Sequence, residues 1–124
     1  MADNHTRSTP YHATHRVVGD ATVVTLRGEI DVLAAPPLST RLDRLTAGPR
    51  PDLVLDLRPV SFIDCAGLSV LCRAHNRARA RQGRVRLVTD SALFVRVLRC
   101  TGLTGVLDIH ARWPDDLPGL PASA

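Results

Sequence analysis

Apolar positions along this chain recur with two periods, and the points where one gives way to the other mark its elements. Val17-Val18 and Thr22 to Leu26 are short β-branched-rich runs separated by Gly19-Asp20, the pattern of a β-hairpin with a two-residue turn. The second run delivers Gly28-Glu29-Ile30-Asp31 at its carboxyl end. Pro36 and Pro37 suit the first turn of a helix, where a missing amide hydrogen costs little, and Leu38, Leu42 and Leu45 follow at i, i+4 and i+7. Gly48-Pro49 stops that helix. Leu53-Val54-Leu55-Asp56-Leu57 is a nearly continuous apolar run, as a parallel strand covered on both faces requires.

Val60 to Leu71 then joins a buried strand to an amphipathic helix through an Asp-Cys-Ala-Gly turn. Leu68, Leu71, Ala74 and Ala78 recur at helical spacing while Arg73, Arg77 and Arg81 take the other face, which predicts a surface helix over 65–81, capped by Asp64 and ended by Gln82-Gly83. Val85 to Val88 predicts a strand, Ser91 caps a short helix carrying Phe94, Val97 and Leu98, and Val106 to Ile109 closes the series. The order strand, strand, helix, strand, helix, strand, helix, strand is that of an α/β fold whose crossovers force parallel pairing in the later strands. A flexible leader over 1–14, one domain over 15–110 and a disordered tail over 111–124 complete the expected organisation. In such sheets, sites gather at the carboxyl ends of strands and the amino ends of helices, so the Asp64 turn and the Glu29 to Asp31 loop are expected on one rim.

Composition narrows the function classes. The chain has 124 residues, enough for one domain and no second. Aromatic residues are only 3% of it, which leaves the core to Leu, Val, Ile and Ala and offers no stacking platform for bases. All sixteen basic residues are Arg, and they exceed the acidic ones by four. The cluster Arg73, Arg77, Arg79, Arg81, Arg84 and Arg86 reads as a solvated face, because no aromatic residues interleave with it as nucleic-acid binding would favour. No apolar stretch is long enough to span a bilayer, and residues 1–12 hold no apolar secretion core, so a cytoplasmic protein without membrane insertion is expected. Cys65, Cys72 and Cys100 match no zinc or disulfide spacing, and the histidines are dispersed, so neither metal nor other cofactor is expected.

The motifs together resemble a known family. Phe62-Ile63 followed by Asp64-Cys65-Ala66-Gly67-Leu68, with Gly28-Glu29-Ile30-Asp31 upstream, is similar to the STAS domain of anti-sigma factor antagonists, whose signature is an Asp-Ser-Ser-Gly or Asp-Ser-Thr-Gly turn before Leu and a helix, and a Gly-Glu-Leu-Asp segment. The resemblance covers residues 15–110 and implies a STAS-like mixed sheet, an N-terminal hairpin plus parallel strands, with helices packed on it. It further implies a regulator without enzymatic activity that docks on an anti-sigma factor, a serine/threonine kinase of histidine-kinase-like ATPase fold, and so releases a sigma factor. Glu29, Asp31, Asp64, Cys65, Ala66, Gly67, Leu68 and Ser69 would form the partner-binding face.

One departure changes what the resemblance implies. The family's kinase phosphorylates the second hydroxyl residue of the turn, and that position here is Ala66, with Cys65 before it. Phosphate, adding about −2 charge, expels the family's domain from its kinase, and alanine cannot carry it. The chain is therefore expected to stay binding-competent, with Ser69 and Ser61 as displaced phosphorylation candidates whose plainer reading is structural. Each site residue has a plainer role as well: Asp64 as a helix cap worth about 1 kcal/mol, Glu29 and Asp31 as an exposed turn. Two alternatives remain. Cys65 at a helix amino end suits a redox sensor, though no histidine neighbours it as a base. The same fold also serves as an accessory subunit of transporters or sensory complexes. A catalytic reading lacks a nucleophile–base pair and a Walker-type loop.

Overall fold

Gly19, at φ +63°, reverses the chain between β1 (His12–Val18) and β2 (Ala21–Ile30), and the hairpin closes with Val18 opposite Ala21. The computed structural model describes residues 10–117. β1 begins earlier than expected: Ala13 is buried and pairs with Leu26, so His12 to Thr14 belong to the sheet and only residues 1–9 of the expected leader lie outside the described residues.

β2 is the axis of the sheet. Over Thr22 to Thr25 it pairs in parallel with β3 (Asp52–Asp56), and beyond a register break between Gly28 and Glu29 it pairs in parallel with β4 (Val60–Ile63). Gly28 sits at φ +80°, a conformation that favours glycine, and the break lets one strand serve two partners in succession. β4 corrects the sequence reading, which places a buried strand before the Asp64 turn. The strand there is a separate one of four residues, and Ser61 and Phe62 are exposed. β3 then pairs in parallel with β5 (Arg84–Val88), and β5 with β6 (Asp108–His110), giving the order β1-β2-β3-β5-β6 with β4 beside β2. The last strand starts two residues later than its apolar run predicts, because Leu103–Gly105 forms a 3-10 turn and leaves Val106 half exposed.

One face of the sheet carries α1 (Ala35–Leu45), α2 (Cys65–Ala80) and α3 (Ala92–Cys100), and the core lies between them and the strands. Leu38 and Leu42 of α1, Leu71, Ala74 and Ala78 of α2 and Leu98 of α3 meet Val24, Leu26, Leu53, Leu55 and Leu87. Each fully buried Leu contributes on the order of 2 kcal/mol by leaving water. Part of the arginine cluster binds these helices together instead of lying free in solvent. Arg73 chelates Asp43 through two bonds of 3.0 Å, Arg77 reaches Thr46 Oγ1 at 3.0 Å, and Arg81 donates to the Ala47 carbonyl at 3.2 Å. Three guanidinium groups thus stitch α2 to the carboxyl end of α1, where carbonyls without helical partners favour cations.

The opposite face is covered by the chain end. Val23, Val54 and Val88 point there, and Trp113 and Leu117 lie over them, Leu117 itself buried. Arg86, only 3% exposed, donates to Asp116 Oδ1 at 2.7 Å and to Asp52 at 3.3 Å. Arg58, bound to Asp56 at 2.9 Å, lies 5.4 Å from the centre of the Trp113 ring. The disordered tail expected over 111–124 is thus corrected as far as Leu117; residues 118–124 lie outside the described residues. The reason is already in the strand pattern: β3 is apolar on both faces, and with all three helices on one side the other needs a cover. No helix among the described residues is long and apolar enough to cross a membrane.

This back face makes two expected outcomes. Leu117→Ala removes packing from a buried site and lowers the unfolding free energy by about 2 kcal/mol in urea titrations. The hydrogen bond from Arg86 holds the Asp116 carboxyl below the usual carboxylate range. A lowered carboxylate pKa adds stability that is present above about pH 4 and lost as pH falls through the folded-state value. Asp116→Asn is therefore less stable than the parent at pH 7, and the two converge as denaturation is followed toward pH 2.5. A gap independent of pH would show that the ion pair is not its source.

Candidate functional site

Asp64 stands just outside α2 in extended backbone, φ −111° and ψ −170°, and its Oδ1 accepts from the Ala66 amide at 2.9 Å and the Gly67 amide at 3.1 Å. Two of the amides that a helix start leaves without partners are satisfied in this way. The Asp64 carbonyl accepts the first helical bond from Leu68 N at 2.9 Å, and its amide donates to the Ile30 carbonyl at 3.3 Å. The turn is therefore tied forward to α2 and sideways to the end of β2.

Gly67 makes that side contact possible. A Cβ at this position would stand 2.6 Å from the Ile30 carbonyl oxygen and 2.6 Å from Ile63 Cγ1. Only a residue without a side chain lets the first turn of α2 rest on the ends of β2 and β4. The two sequence motifs, Gly28 to Asp31 and Asp64 to Leu68, meet here as one rim at the carboxyl end of the parallel strands.

Asp31 has a structural task of its own. Its Oδ1 accepts from Leu33 N at 3.1 Å and Ala34 N at 3.0 Å, while its carbonyl accepts from Ala34 and Ala35. This turn supplies what the helix lacks, since Ala34 at the start of α1 has no capping side chain. Glu29 lies opposite Phe62 in the β2–β4 register and is half buried.

The eight residues of the expected face divide by exposure. Cys65 and Ser69 are exposed, and Glu29, Asp31, Asp64 and Ala66 are half buried. Gly67 and Leu68 are buried, Leu68 within the core, so they build the rim and do not meet a partner. This corrects their place in the expected contact surface, because the helix turns them toward the sheet. The Ser69 hydroxyl donates back to the Cys65 carbonyl at 2.9 Å, a local bond that occupies it. Ser61 is exposed on β4. Ala66 presents a methyl group at the turn, which offers no oxygen for group transfer.

The sequence pattern does not reveal how apolar the surroundings of this rim are. Val32 and Leu33 are 67% and 82% exposed, directly after Asp31, and Phe62 is 51% exposed, two residues before Asp64. A signal was present: Val32-Leu33 falls between the β2 pattern and the Leu38, Leu42, Leu45 repeat and belongs to neither.

The capping role of Asp64 is measurable by substitution. Asp64→Ala is expected to lose about 1 kcal/mol of stability in urea titrations, and Asp64→Asn, which keeps the acceptor oxygen, to stay within a few tenths. Gly67→Ala forces the β2 end away and costs about 1–3 kcal/mol in the same measurement.

Comparison with known proteins agrees with this fold. The family model described as STAS domain matches residues 12–113. Over 89 residues the chain is 35% identical to the anti-sigma-B factor antagonist of Bacillus subtilis, covering 72% of this chain and 81% of that one. It is 32% identical over 93 residues to the anti-sigma-F factor antagonist RsfA of Mycobacterium tuberculosis, covering 73% and 72%. The crystal structure of an anti-sigma factor antagonist from Mycobacterium paratuberculosis superposes with a TM-score of 0.75 at 26% identity, over 84% of this chain and 90% of that one. Relatives of this kind are regulatory binding proteins and not enzymes. With the family match running from the first residue of β1 to the tryptophan that covers the back of the sheet, the chain belongs to the STAS domain family.

Proposed function

We propose that this chain is an anti-sigma factor antagonist that docks through the Asp64 rim on an anti-sigma factor, a serine/threonine kinase of histidine-kinase-like ATPase fold, and so releases a sigma factor in the cytoplasm. The observation that carries the reading is the rigid presentation of the turn. Asp64 caps α2, Gly67 rests on Ile30, and Cys65, Ala66 and Ser69 are left facing outward on a base with little freedom to move. A preorganised surface of this kind loses little entropy on binding, as a competitive docking protein needs. The relatives named as antagonists of anti-sigma factors support the same role.

In this mechanism no bond is made or broken on the chain. Docking and sigma-factor release are linked by competition for the anti-sigma factor, and the complex persists until the partner is removed by other means. Ala66 removes the switch, because a phosphate adds about −2 charge and bulk to the docking turn and a methyl group has no oxygen to carry it. With a methyl group there, the antagonist is held in its binding form. Ser69, bonded to the Cys65 carbonyl, and Ser61, exposed on β4, are the displaced phosphorylation candidates, and both are read as structural.

The test mixes the purified chain with each anti-sigma factor encoded in its own genome, with and without magnesium and ATP, followed by gel filtration and intact mass. A complex that survives ATP at unmodified mass is the expected result; dissociation with gain of one phosphate would sink the proposal. Ala66→Glu is expected to weaken the complex by at least about tenfold, or 1.4 kcal/mol. Ala66→Ser is expected to make it sensitive to ATP.

A further inference from the structure

A groove of about 260 Å³ opens between β4 and the first two turns of α3, next to the Asp64 turn. Phe62 and Ile63 form one wall, Leu93, Phe94 and Val97 the other, and Leu57 the floor. Phe62 is 51% exposed, Leu93 69% and Val97 37%. Seven large apolar side chains are exposed among the described residues, and these three stand on one groove. Two more, Val32 and Leu33, follow Asp31 on the neighbouring loop. Scattered exposed apolar residues need no explanation, but a cluster around a concavity marks a surface that something covers.

The charges at the mouth indicate what covers it. Asp64 follows Ile63 directly, Glu29 lies opposite Phe62 in the β2–β4 register, and Asp90 stands exposed between Thr89 and Ser91, which also line the groove. Of the cations, Arg58 is bound to Asp56 and also feels the charge of Asp90, so Asp90 is compensated on that side, and Arg96 lies on α3. Most of the arginine cluster is engaged elsewhere, Arg73, Arg77 and Arg81 on α1 and Arg84 and Arg86 on Asp52 and Asp116. The groove lining itself carries no charge, and the β4 side of it is flanked by the carboxylates of Asp64 and Glu29, on a chain whose net charge is +4.

We infer that this groove is the anchor site of the docking face: it receives one large aliphatic or aromatic side chain of the anti-sigma factor, carried on a segment with Lys or Arg beside it. The inference rests on the proposed function and extends its contact surface from the Asp64 turn across β4 to α3. Continuity supports it, since Phe62 and Ile63 run straight into Asp64, and a protein that covers the turn also covers the groove mouth. A free small molecule filling the cavity would leave the outer faces of Phe62 and Leu93 in water, whereas a docked protein buries them. A buried anchor inside a ring of flanking contacts is where binding energy concentrates in interfaces.

The test titrates the anti-sigma factor found by the complex assay into four variants by calorimetry, with thermal unfolding of each as a folding control. Leu93→Ser and Val97→Ser alter exposed wall positions and are expected to weaken binding by about tenfold or more. Val17→Ser, at 72% exposure on β1, is expected to leave it unchanged. Val97→Trp fills the groove and is also expected to weaken binding; tighter binding would mean that no side chain enters. Affinity indifferent to Leu93 and Val97, alongside a loss on Ala66→Glu, overturns the groove while the docking role stands. Absence of any complex with the parent chain overturns the docking role and the groove with it.

Discussion

At Gly67 the first turn of α2 comes so close to the end of β2 that one added methyl group would strike the Ile30 carbonyl oxygen. The arrangement of the rim follows from that approach. It fixes the direction in which α2 leaves the sheet, it brings the Glu29 to Asp31 loop beside the Asp64 turn, and it lets the Asp64 amide bond to Ile30. The register break at Gly28 serves the same end, since it frees the last residues of β2 from β3 and gives them to β4. Two glycines, one with positive φ and one without room for a side chain, thus determine where the candidate surface lies.

Two acidic residues of that rim, Asp64 and Asp31, have structural tasks. Asp64 caps α2 and Asp31 closes the turn into α1, each through a single oxygen that accepts two amides. A carboxylate so engaged adds negative potential at a fixed point but has little freedom to reach toward another protein. In the proposed docking, contact energy therefore falls to the neighbouring apolar side chains, and charge supplies orientation. Ala66 fits the same division, for it adds a small apolar surface where a hydroxyl would bring a site of modification.

The sheet places opposite demands on its two faces. Three helices on one side supply a conventional core, and the other side is closed by Trp113 and Leu117 with the Arg86–Asp116 pair beneath their edge. Arg86 is nearly inaccessible to water, and a guanidinium in that position is tolerable only with a carboxylate against it. The segment after β6 is thus part of the domain.

Much of this was legible in the chain. The Gly19-Asp20 turn, the Leu38, Leu42, Leu45 repeat, the two-faced apolar run of β3 and the Asp64 cap are local patterns, and local patterns specify elements because the period of burial matches the period of the backbone. The mixed sheet follows from their order, and the family resemblance from the Gly28 to Asp31 and Asp64 to Leu68 motifs. Three things depended on residues far apart in sequence. Val60–Ile63 is β-favouring by composition, but its pairing with the end of β2 beyond the register break and the exposure of Ser61 and Phe62 were decided by the sheet. Residues to Leu117 folded back because Val23, Val54 and Val88 from three strands form one uncovered surface, which no single stretch displays. Phe62, Leu93 and Val97 look like core residues in one dimension and prove to be exposed, because only the packing of β4 and α3 around a groove decides which apolar side chains the interior has room for.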